Sequence, residues 1–497
     1  MSRRGSTADL VRLLLGHLSR FRGRTLQDVA TGALRAPDGD RAWVVGILNL
    51  TLRARRWLHH RLVLEPRRLR SRLLFRRPDP AGPRRTISLL CPTRDRVAQV
   101  ARMVSSVART AAEPDRVEVL CYVDSDDPAL PGYRELFAGR RFGGVRCVLL
   151  VGEPVGVPAA WNRLAAEAGG DLLLMANDDQ SYVDHGWDVT LDARLTALET
   201  GHPDGLLCLY FDAGQYPDGG RDFPIVTRRW YEALGYFVPT AFSQWEVETW
   251  VFDVAERAGR LYPVPGVFVE HLHYQDYKAP FDATYQRHRL TREKSFADHA
   301  LFLRTGSVRA AEADRLRAVV RGGTGTVPAT GFWFAGFLAE HRDRLAAEVA
   351  AWSAGSEPAD GTRRVVLFAD GAWTGTAGET LPVLVDVLLA VPEATVPPGS
   401  RVELVLLGPG AATVPDPGIR DATVSVCLGL HVPASARPRV GAVPVDWRSG
   451  DCLVFPGDTV PIIRNDGAGT LVTLLFSVPG PARAAAPASA EAVTGNA

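Results

Sequence analysis

From Thr86 onward, short apolar runs alternate with segments of helical spacing, and few folds accommodate that alternation. The runs TISLLCPT, VEVLCYVDS, VRCVLLVG and DLLLMANDD are strand-like, and helical segments such as RVAQVARMVSSVART and PAAWNRLAAEA lie between several of them. Strands rich in Val, Ile and Leu that alternate with helices are typical of a mostly parallel sheet with both faces covered. The sequence therefore predicts an α/β domain over residues 85–295.

Other patterns flank this domain. The chain has 497 residues, a length that suits about three domains. Residues 1–84 are predicted to form a basic helical segment that ends in a linker of Pro and Gly, and residues 296–362 a helical connector. Over residues 363–481, strand-like runs are separated by Pro and Gly turns, which indicates a double-sheet β domain. The tail, residues 482–497, is poor in large apolar residues, so we expect it to be disordered.

The positive charge of the chain is concentrated at its beginning. Met1 to Arg85 contain 20 Arg and 6 acidic residues, a net charge of +14, whereas the whole chain has a formal net charge of +1. The low overall charge argues against nucleic acid as a partner of the whole chain. The favoured interpretation of the basic segment is a set of helices packed on the next domain with their arginines in water. The alternative is an amphipathic stretch that lies on an anionic membrane surface.

The cysteines and the N-terminus indicate the compartment. The six cysteines show no C-x-x-C pair and no zinc-site spacing with histidine, so we expect reduced, buried thiols. The N-terminus lacks a continuous apolar signal-peptide core. The longest apolar stretch near it, Ala42 to Leu52, is shorter than the about 20 residues that span a bilayer. We therefore expect a cytoplasmic protein, peripheral to the membrane if the basic segment binds lipid. No feature indicates an oligomeric state.

Acidic residues stand where one of the predicted strands ends. The apolar run Asp171 to Ala176 is followed directly by Asn177, Asp178 and Asp179. Side chains at the carboxyl end of a parallel strand project into the crevice where such sheets bind ligands. Carboxylates there are suited to hold a divalent cation against a diphosphate. The alternative for an isolated Asn-Asp-Asp is a strand-ending Asx turn.

The order of the strand ends resembles the GT-A type of glycosyltransferase, specifically family 2 of inverting enzymes. The first strand ends in Pro92 and Thr93 and the second in Asp124, and a later strand ends in Asn177 to Asp179. The resemblance implies that Pro92 and Thr93 contact the nucleoside of a nucleotide sugar and that Asp124 holds its uracil or ribose. It also implies a D-x-D-like motif in which Asp179 binds the metal, with Asn177 in place of the usual first Asp and Asp178 beside the diphosphate.

The acceptor half of that family has two further matches. The segment WEVETWVFDVAERAG is similar to the family's acidic segment that opens a helix, and it places Glu248 at the position of the general base. Glu246, two residues earlier, is the alternative base. An inverting transfer requires a carboxylate within hydrogen-bonding distance of the acceptor hydroxyl. Downstream, VFVEHLHY carries His271 and His273, and the resemblance assigns His271 to the metal.

The C-terminal domain resembles the aspartyl/asparaginyl β-hydroxylase family, a double-stranded β-helix or jelly roll that binds iron and 2-oxoglutarate. The resemblance spans LPVLVDVLLAVPEA, TVSVCLGLHVP, RPRVGAVPVDW and SGDCLVFPG. By spacing, Asp416 and Pro461 occupy the positions of the two histidine ligands. Leu471 occupies that of the arginine that pairs with 2-oxoglutarate, and Cys427 that of a further histidine. Since the facial iron site requires histidine ligands, we expect no iron, no 2-oxoglutarate and a pseudoenzyme domain.

The resemblances together predict a metal-dependent enzyme. It would transfer a sugar with inversion from a nucleotide sugar, a UDP-sugar by preference, to an acceptor hydroxyl of unknown identity, using Mg²⁺ or Mn²⁺. One alternative is a non-catalytic binding or scaffold protein in which both domains have decayed, which Asn177 favours. Asp179 with Glu248 favours the enzyme. An active iron and 2-oxoglutarate hydroxylase is the third interpretation, and the missing ligands oppose it.

Overall fold

The computed structural model describes residues 50, 53–54, 56–78, 84–139, 141–214, 221–272, 292–323, 326–327, 329–353, 361–397, 399–413, 423–441, 443–456 and 462–479. The chain divides into two units, residues 1–231 with 237–304 and residues 232–236 with 305–497. His273, Asp416, Pro461, most of the basic segment and the C-terminal tail lie outside the described residues. Within the described ranges, every helix is too short or too polar to cross a bilayer.

The first unit is built on a nine-stranded sheet. Its strands are β1 (Ile87–Thr93), β2 (Val117–Asp124), β3 (Arg141–Phe142), β4 (Val145–Gly152), β5 (Leu172–Met175), β6 (Gln180–Tyr182), β7 (Cys208–Asp212), β8 (Arg221–Thr227) and β9 (Leu261–His271). Its helices are α1 (Glu65–Leu74), α2 (Val97–Thr110), α3 (Leu130–Phe137), α4 (Val157–Glu167), α5 (Trp187–Glu199), α6 (Arg228–Leu234), α7 (Val247–Ala258) and α8 (Arg292–Arg304). A π-helical turn, His60–Leu64, precedes α1.

Strands β4, β2, β1 and β5 are parallel, and the sheet order is β3-β4-β2-β1-β5-β8-β7-β9-β6. These strands are apolar because both faces of the sheet are covered: β1 is buried along nearly its whole length. Helices α2, α3 and α5 contribute Val104, Tyr133 and Leu191 to the core on one face. The prediction of an α/β domain is confirmed.

Strand order changes direction at β1. From β1 the chain places β2 and β4 on one side and then crosses to place β5 on the other. In open α/β sheets, ligands bind outside the carboxyl ends of the strands at such a switch point. A ligand site is therefore expected at the residues that follow β1 and β5.

The described part of the basic segment contacts the rest of the first unit, and two of its arginines make polar contacts. Arg67 forms an ion pair with Asp184 at 2.8 Å, and Arg68 donates to Ser181 and to the Tyr182 carbonyl at 3.1 Å. The other face is open, and the side chains of Trp57, Leu62, Leu69 and Leu73 are each more than half exposed (61–74%). Arg67 and Arg68 thus contact the rest of the unit, whereas the favoured interpretation placed the arginines in water.

The second unit contains two antiparallel sheets. Its strands are β10 (Thr362–Ala369), β11 (Ala372–Trp373), β12 (Val402–Leu407), β13 (Thr423–His431), β14 (Pro438–Val440), β15 (Val443–Pro444), β16 (Cys452–Pro456), β17 (Ile463–Asn465) and β18 (Leu471–Pro479). Its helices are α9 (Gly306–Val320), α10 (Trp333–Glu340), α11 (Arg342–Ser353), α12 (Gly375–Thr380) and α13 (Pro382–Leu389). The larger sheet has the order β11-β10-β12-β18-β13-β16, and the smaller one β15-β14-β17.

Alternate residues of the larger sheet enter two different cores, because successive side chains of a strand point to opposite faces. Leu404, Leu428 and Leu474 pack with helices α10, α11 and α13. Val405 and Leu471 pack on the other face with residues of the smaller sheet. The sheet-rich C-terminal domain is confirmed, whereas the double-stranded β-helix stays a prediction.

Candidate functional site

The carboxyl ends of β1 and β5 meet through a hydrogen bond. Thr93, the last residue of β1, donates its hydroxyl to Asp178 at 2.7 Å. Arg96 donates to the other oxygen of the same carboxylate at 2.9 Å. Tyr133 supports both residues, since its hydroxyl lies 3.0 Å from the Thr93 hydroxyl and accepts the Arg96 backbone N–H. Burial raises the pKa of Asp178 against the opposing effect of Arg96. Both carboxylate oxygens of Asp178 are therefore hydrogen-bonded by residues of the protein itself.

Asp179 and His271 lie side by side. The Asp179 Oδ1 and His271 Nε2 atoms are 3.3 Å apart, and both side chains are buried. The Nδ1 atom of His271 lies 2.9 Å from a carboxylate oxygen of Asp222, the second residue of β8. Burial lowers the pKa of His271, but the charges and hydrogen bonds of Asp179 and Asp222 outweigh it and raise the pKa to about 10.

A cation that displaced the Nε2 proton of His271 would find Asp179 and His271 placed as two ligands of an octahedral shell. Two donors bound at about 2.1 Å and at right angles are about 3 Å apart, close to the separation of Asp179 Oδ1 and His271 Nε2. A histidine ligand commonly donates its other ring N–H to a carboxylate, which is the geometry of His271 and Asp222. Within the part of the chain that the structure describes, no three His, Cys, Asp or Glu side chains are grouped as metal ligands. A cation here would thus take its further ligands from substrate phosphates and water.

The strand ends that are predicted to bind the nucleoside contain an ion pair. Arg94, directly after β1, donates to Asp124 at 2.8 Å and also contacts Asp126. These two carboxylates raise the pKa of Arg94. Pro92 lies in β1 opposite Tyr122 of β2. Arg94 thus covers the Asp124 carboxylate, so a nucleoside bound by Asp124 has to share it with a guanidinium.

Asn177 contributes a backbone contact to the turn after β5. Its carbonyl accepts the N–H of Gln180 at 3.2 Å, and its side chain is half-buried. This bond closes a β-turn between backbone atoms, whereas the Asx turn of the alternative interpretation would be closed by a side-chain oxygen. The same turn carries Asp178, which contacts Thr93, and Asp179, which contacts His271.

The two acidic candidates for the base stand at the start of α7. Glu248 lies in its first turn and is half-buried, whereas Glu246 precedes the helix with a positive φ of 63° and bonds His299 at 2.8 Å. Helix α7 packs on β8 and β9, the strands that carry Asp222 and His271. Glu248 thus begins a helix that lies against the strands of Asp222 and His271.

Asp298 of α8 fixes the loop ahead of α7. Its buried carboxylate accepts the backbone N–H groups of Ser243, Gln244 and Trp245 at 2.9–3.2 Å. Residues with φ in the left-handed region cost about 1–3 kcal/mol and persist where surrounding structure holds them. Glu246 is one such residue, and Phe223, next to Asp222, is another with φ of 57°.

Sequence reasoning missed several of these residues. Arg94 and Arg96 stand in the CPTRDR motif, so their place after a strand end was a usable signal for contacts to the acids. Asp222 and Asp298 lie in no recognisable motif and are 49 and 55 residues from their partners His271 and Ser243. Only the fold brings these pairs together.

In the second unit, two positions that the resemblance assigns to hydroxylase functional residues are filled by apolar packing. Leu471 and Cys427 are fully buried in one core with Phe455 and Trp447. Burial raises the pKa of the Cys427 thiol well above its usual range. These side chains occupy the face of the larger sheet that is covered by the smaller sheet.

Residues 339–481 match the family model of aspartyl/asparaginyl β-hydroxylase. The resemblance of the C-terminal domain to that family is confirmed by this match. No curated protein matches the chain.

Solved structures similar to the chain include glycosyltransferases. A mannosyltransferase from Pyrobaculum calidifontis in complex with GDP-Man and Mn²⁺ is 14% identical, with 59% of this chain and 91% of that chain covered and a TM-score of 0.34. S. aureus TarS 1-349 in complex with UDP is 13% identical, with coverage of 53% and 80% and a TM-score of 0.30. GalNAc-T7 with UDP, GalNAc and Mn²⁺ is 14% identical, with coverage of 38% and 44% and a TM-score of 0.32.

Proposed function

We propose that the first unit is a GT-A-type, inverting glycosyltransferase that uses a nucleotide sugar and Mg²⁺ or Mn²⁺. The observation that carries the proposal is the Asp179–His271 pair, 3.3 Å apart and backed by Asp222, at the switch-point edge of the sheet. A cation held there supplies charge stabilisation to the leaving diphosphate. A donor with a UDP group is preferred, in accordance with the strand-end resemblance.

We assign the roles of the individual residues from their positions around the Asp179–His271 pair. Thr93 and Arg96 orient Asp178, and the backbone turn at Asn177 presents Asp179. Asp124, with Pro92 at the adjacent strand end, would hold the nucleoside.

Glu248 is proposed as the general base, with Glu246 as the alternative. The acceptor oxygen attacks the anomeric carbon while its proton passes to the Glu248 carboxylate. The bond between that carbon and the diphosphate oxygen breaks, and its electron pair leaves with the diphosphate. Glu248 is preferred because the resemblance places it at the position of the base, and Glu246 lies two residues earlier, ahead of α7.

We further propose that residues 363–481 form a catalytically silent double-stranded β-helix, and that residues 85–295 form the transferase domain. The family match supports the hydroxylase-like fold. The apolar core around Leu471 and Cys427 supports a domain without iron or 2-oxoglutarate. An arginine at the position of Leu471 would require a counter-charge within that core.

The basic segment is proposed to contact an anionic membrane surface, and the protein to be cytoplasmic. Trp57, Leu62, Leu69 and Leu73 present exposed apolar side chains on a segment rich in arginine, the composition of an interfacial helix. The Leu62→Glu/Leu69→Glu variant should lose binding to vesicles of phosphatidylserine and phosphatidylcholine in a sedimentation assay. Leu303→Glu, at an exposed leucine of α8, is the matched control. Equal binding of both variants would contradict membrane contact through this face.

The experiment that tests the transferase is calorimetry of UDP binding with and without Mn²⁺. Wild-type protein should bind UDP more tightly with Mn²⁺, and Asp179→Asn should abolish that enhancement. Asp115→Asn, at an exposed aspartate of the same unit, should bind as the wild type does. Thermal unfolding of each variant checks that the fold persists. Absence of Mn²⁺-dependent UDP binding by the wild type would favour the non-catalytic scaffold.

A further inference from the structure

A cavity of about 530 Å³ lies along helix α2 of the first unit, and arginines dominate its lining. Its volume is within the range of about 300–1,000 Å³ typical of small-molecule sites. We call it the arginine cavity, after the six that line it: Arg53, Arg56, Arg68, Arg96, Arg102 and Arg109. Asp178 and Asp179 line the same cavity, so one end of it reaches the proposed transferase site.

Two walls bring these arginines together. Gln99, Arg102 and Arg109 lie at helical spacing on one face of α2, where residues three or four apart are neighbours. The facing wall is the basic segment, with Arg53 and Arg56. Arginines of both walls therefore line one space.

The positive charge of the cavity exceeds what the described acids neutralise. Arg68 pairs with Glu65 at 2.7 Å, and Arg96 with Asp178 at 2.9 Å. Within the described ranges, Arg102 makes no hydrogen bond or ion pair, and the hydrogen bond of Arg109 is to the neutral Ser105 carbonyl at 3.3 Å. Partial desolvation and the nearby Arg56 lower the pKa of Arg102 to about 10. A bound anion lowers the electrostatic repulsion within such a cluster of arginines.

We propose that the arginine cavity binds a phosphate-class anionic group of the acceptor substrate, separate from the diphosphate of the donor. Arginine matches phosphate oxygens through paired N–H donors, and several guanidinium groups together suit a multiply charged anion. The contact of the cavity with Asp179 places such an acceptor beside the proposed donor. The assignment to the acceptor rests on the proposed function, whereas anion binding does not.

The test uses inorganic tripolyphosphate as the probe, with the full chain in EDTA, and UDP with Mn²⁺ as a second ligand measured separately. The Arg102→Gln/Arg109→Gln variant should bind tripolyphosphate about 10- to 100-fold more weakly, the loss expected for removing charged hydrogen bonds. Its affinity for UDP with Mn²⁺ should be unchanged. Asp179→Asn should weaken the binding of UDP with Mn²⁺ and leave the binding of tripolyphosphate unchanged. Arg134→Gln, at an exposed arginine of α3, is the matched control and should bind both ligands as the wild type does.

Each other outcome overturns a stated part of the inference. If the wild type does not bind tripolyphosphate, or the double variant matches Arg134→Gln, the cavity is not the anion site. If the double variant loses UDP binding by the same factor, the cavity belongs to the donor diphosphate. If tripolyphosphate binds in the cavity but UDP with Mn²⁺ binds nowhere, the anion site stands while the acceptor assignment fails together with the proposed function.

Discussion

Replacing Asp222 by alanine tests the proposed metal site at a residue that would not itself touch the metal. In the structure, Asp222 accepts from His271 Nδ1 at 2.9 Å, which leaves Nε2 directed at Asp179. Without the carboxylate, the imidazole loses the partner that sets its tautomer and orientation. The ring of Phe223 still contacts that of His271, with centroids 4.8 Å apart, so part of the orientation is kept.

Loss of such a supporting carboxylate typically weakens metal binding 10- to 100-fold, which is about 1.4–2.7 kcal/mol. We expect the lower half of that range for Asp222→Ala because the Phe223 contact remains. The assay is Mn²⁺ titration by calorimetry in the presence of saturating UDP, with thermal unfolding as the check on the fold. Glu256→Ala is the matched control, since it removes the carboxylate that pairs with the adjacent Arg221 in an exposed ion pair, which contributes little. An Mn²⁺ affinity of Asp222→Ala equal to that of Glu256→Ala would refute the supporting role of Asp222.

Three further predictions follow from the described contacts. Glu248→Gln should lower turnover about 10²- to 10⁴-fold with donor binding unchanged, whereas Glu246→Gln should not; steady-state kinetics that reverse this order would make Glu246 the base. Asp298→Asn should lower the free energy of unfolding by about 2 kcal/mol in urea denaturation, because its carboxylate accepts three backbone N–H groups; a value near zero would contradict that role. Leu471→Arg should destabilise the chain by at least about 3 kcal/mol by placing an unpaired charge in an apolar core, while Leu389→Arg at an exposed site should change stability by less than about 0.5 kcal/mol. A tolerated Leu471→Arg would indicate that a counter-charge is available there.

Local sequence was sufficient for the α/β domain and for part of its site. Strands such as β1 and β2 are apolar along their length, and this pattern depends only on neighbouring residues and on burial of both faces. Parallel strands place their carboxyl ends at one edge, so the proximity of Thr93 and Asp178 follows from their positions after strands. The hydroxylase-like domain was likewise recognisable from its motifs, and the family match confirms it.

Contacts between residues that are distant in sequence were decided by the tertiary structure. Asp222 reaches His271 because β8 and β9 both flank β7, and nothing near Asp222 in the sequence signals that order. The arginine cavity requires α2 and the basic segment to face each other across a shared space, although the two are separated in sequence by β1 and the linker. Helical and strand periodicity determine which face of an element is apolar, but they do not determine which element will lie against it. The strand-end carboxylates were therefore predictable from local pattern, whereas the partners that orient them were set by long-range packing.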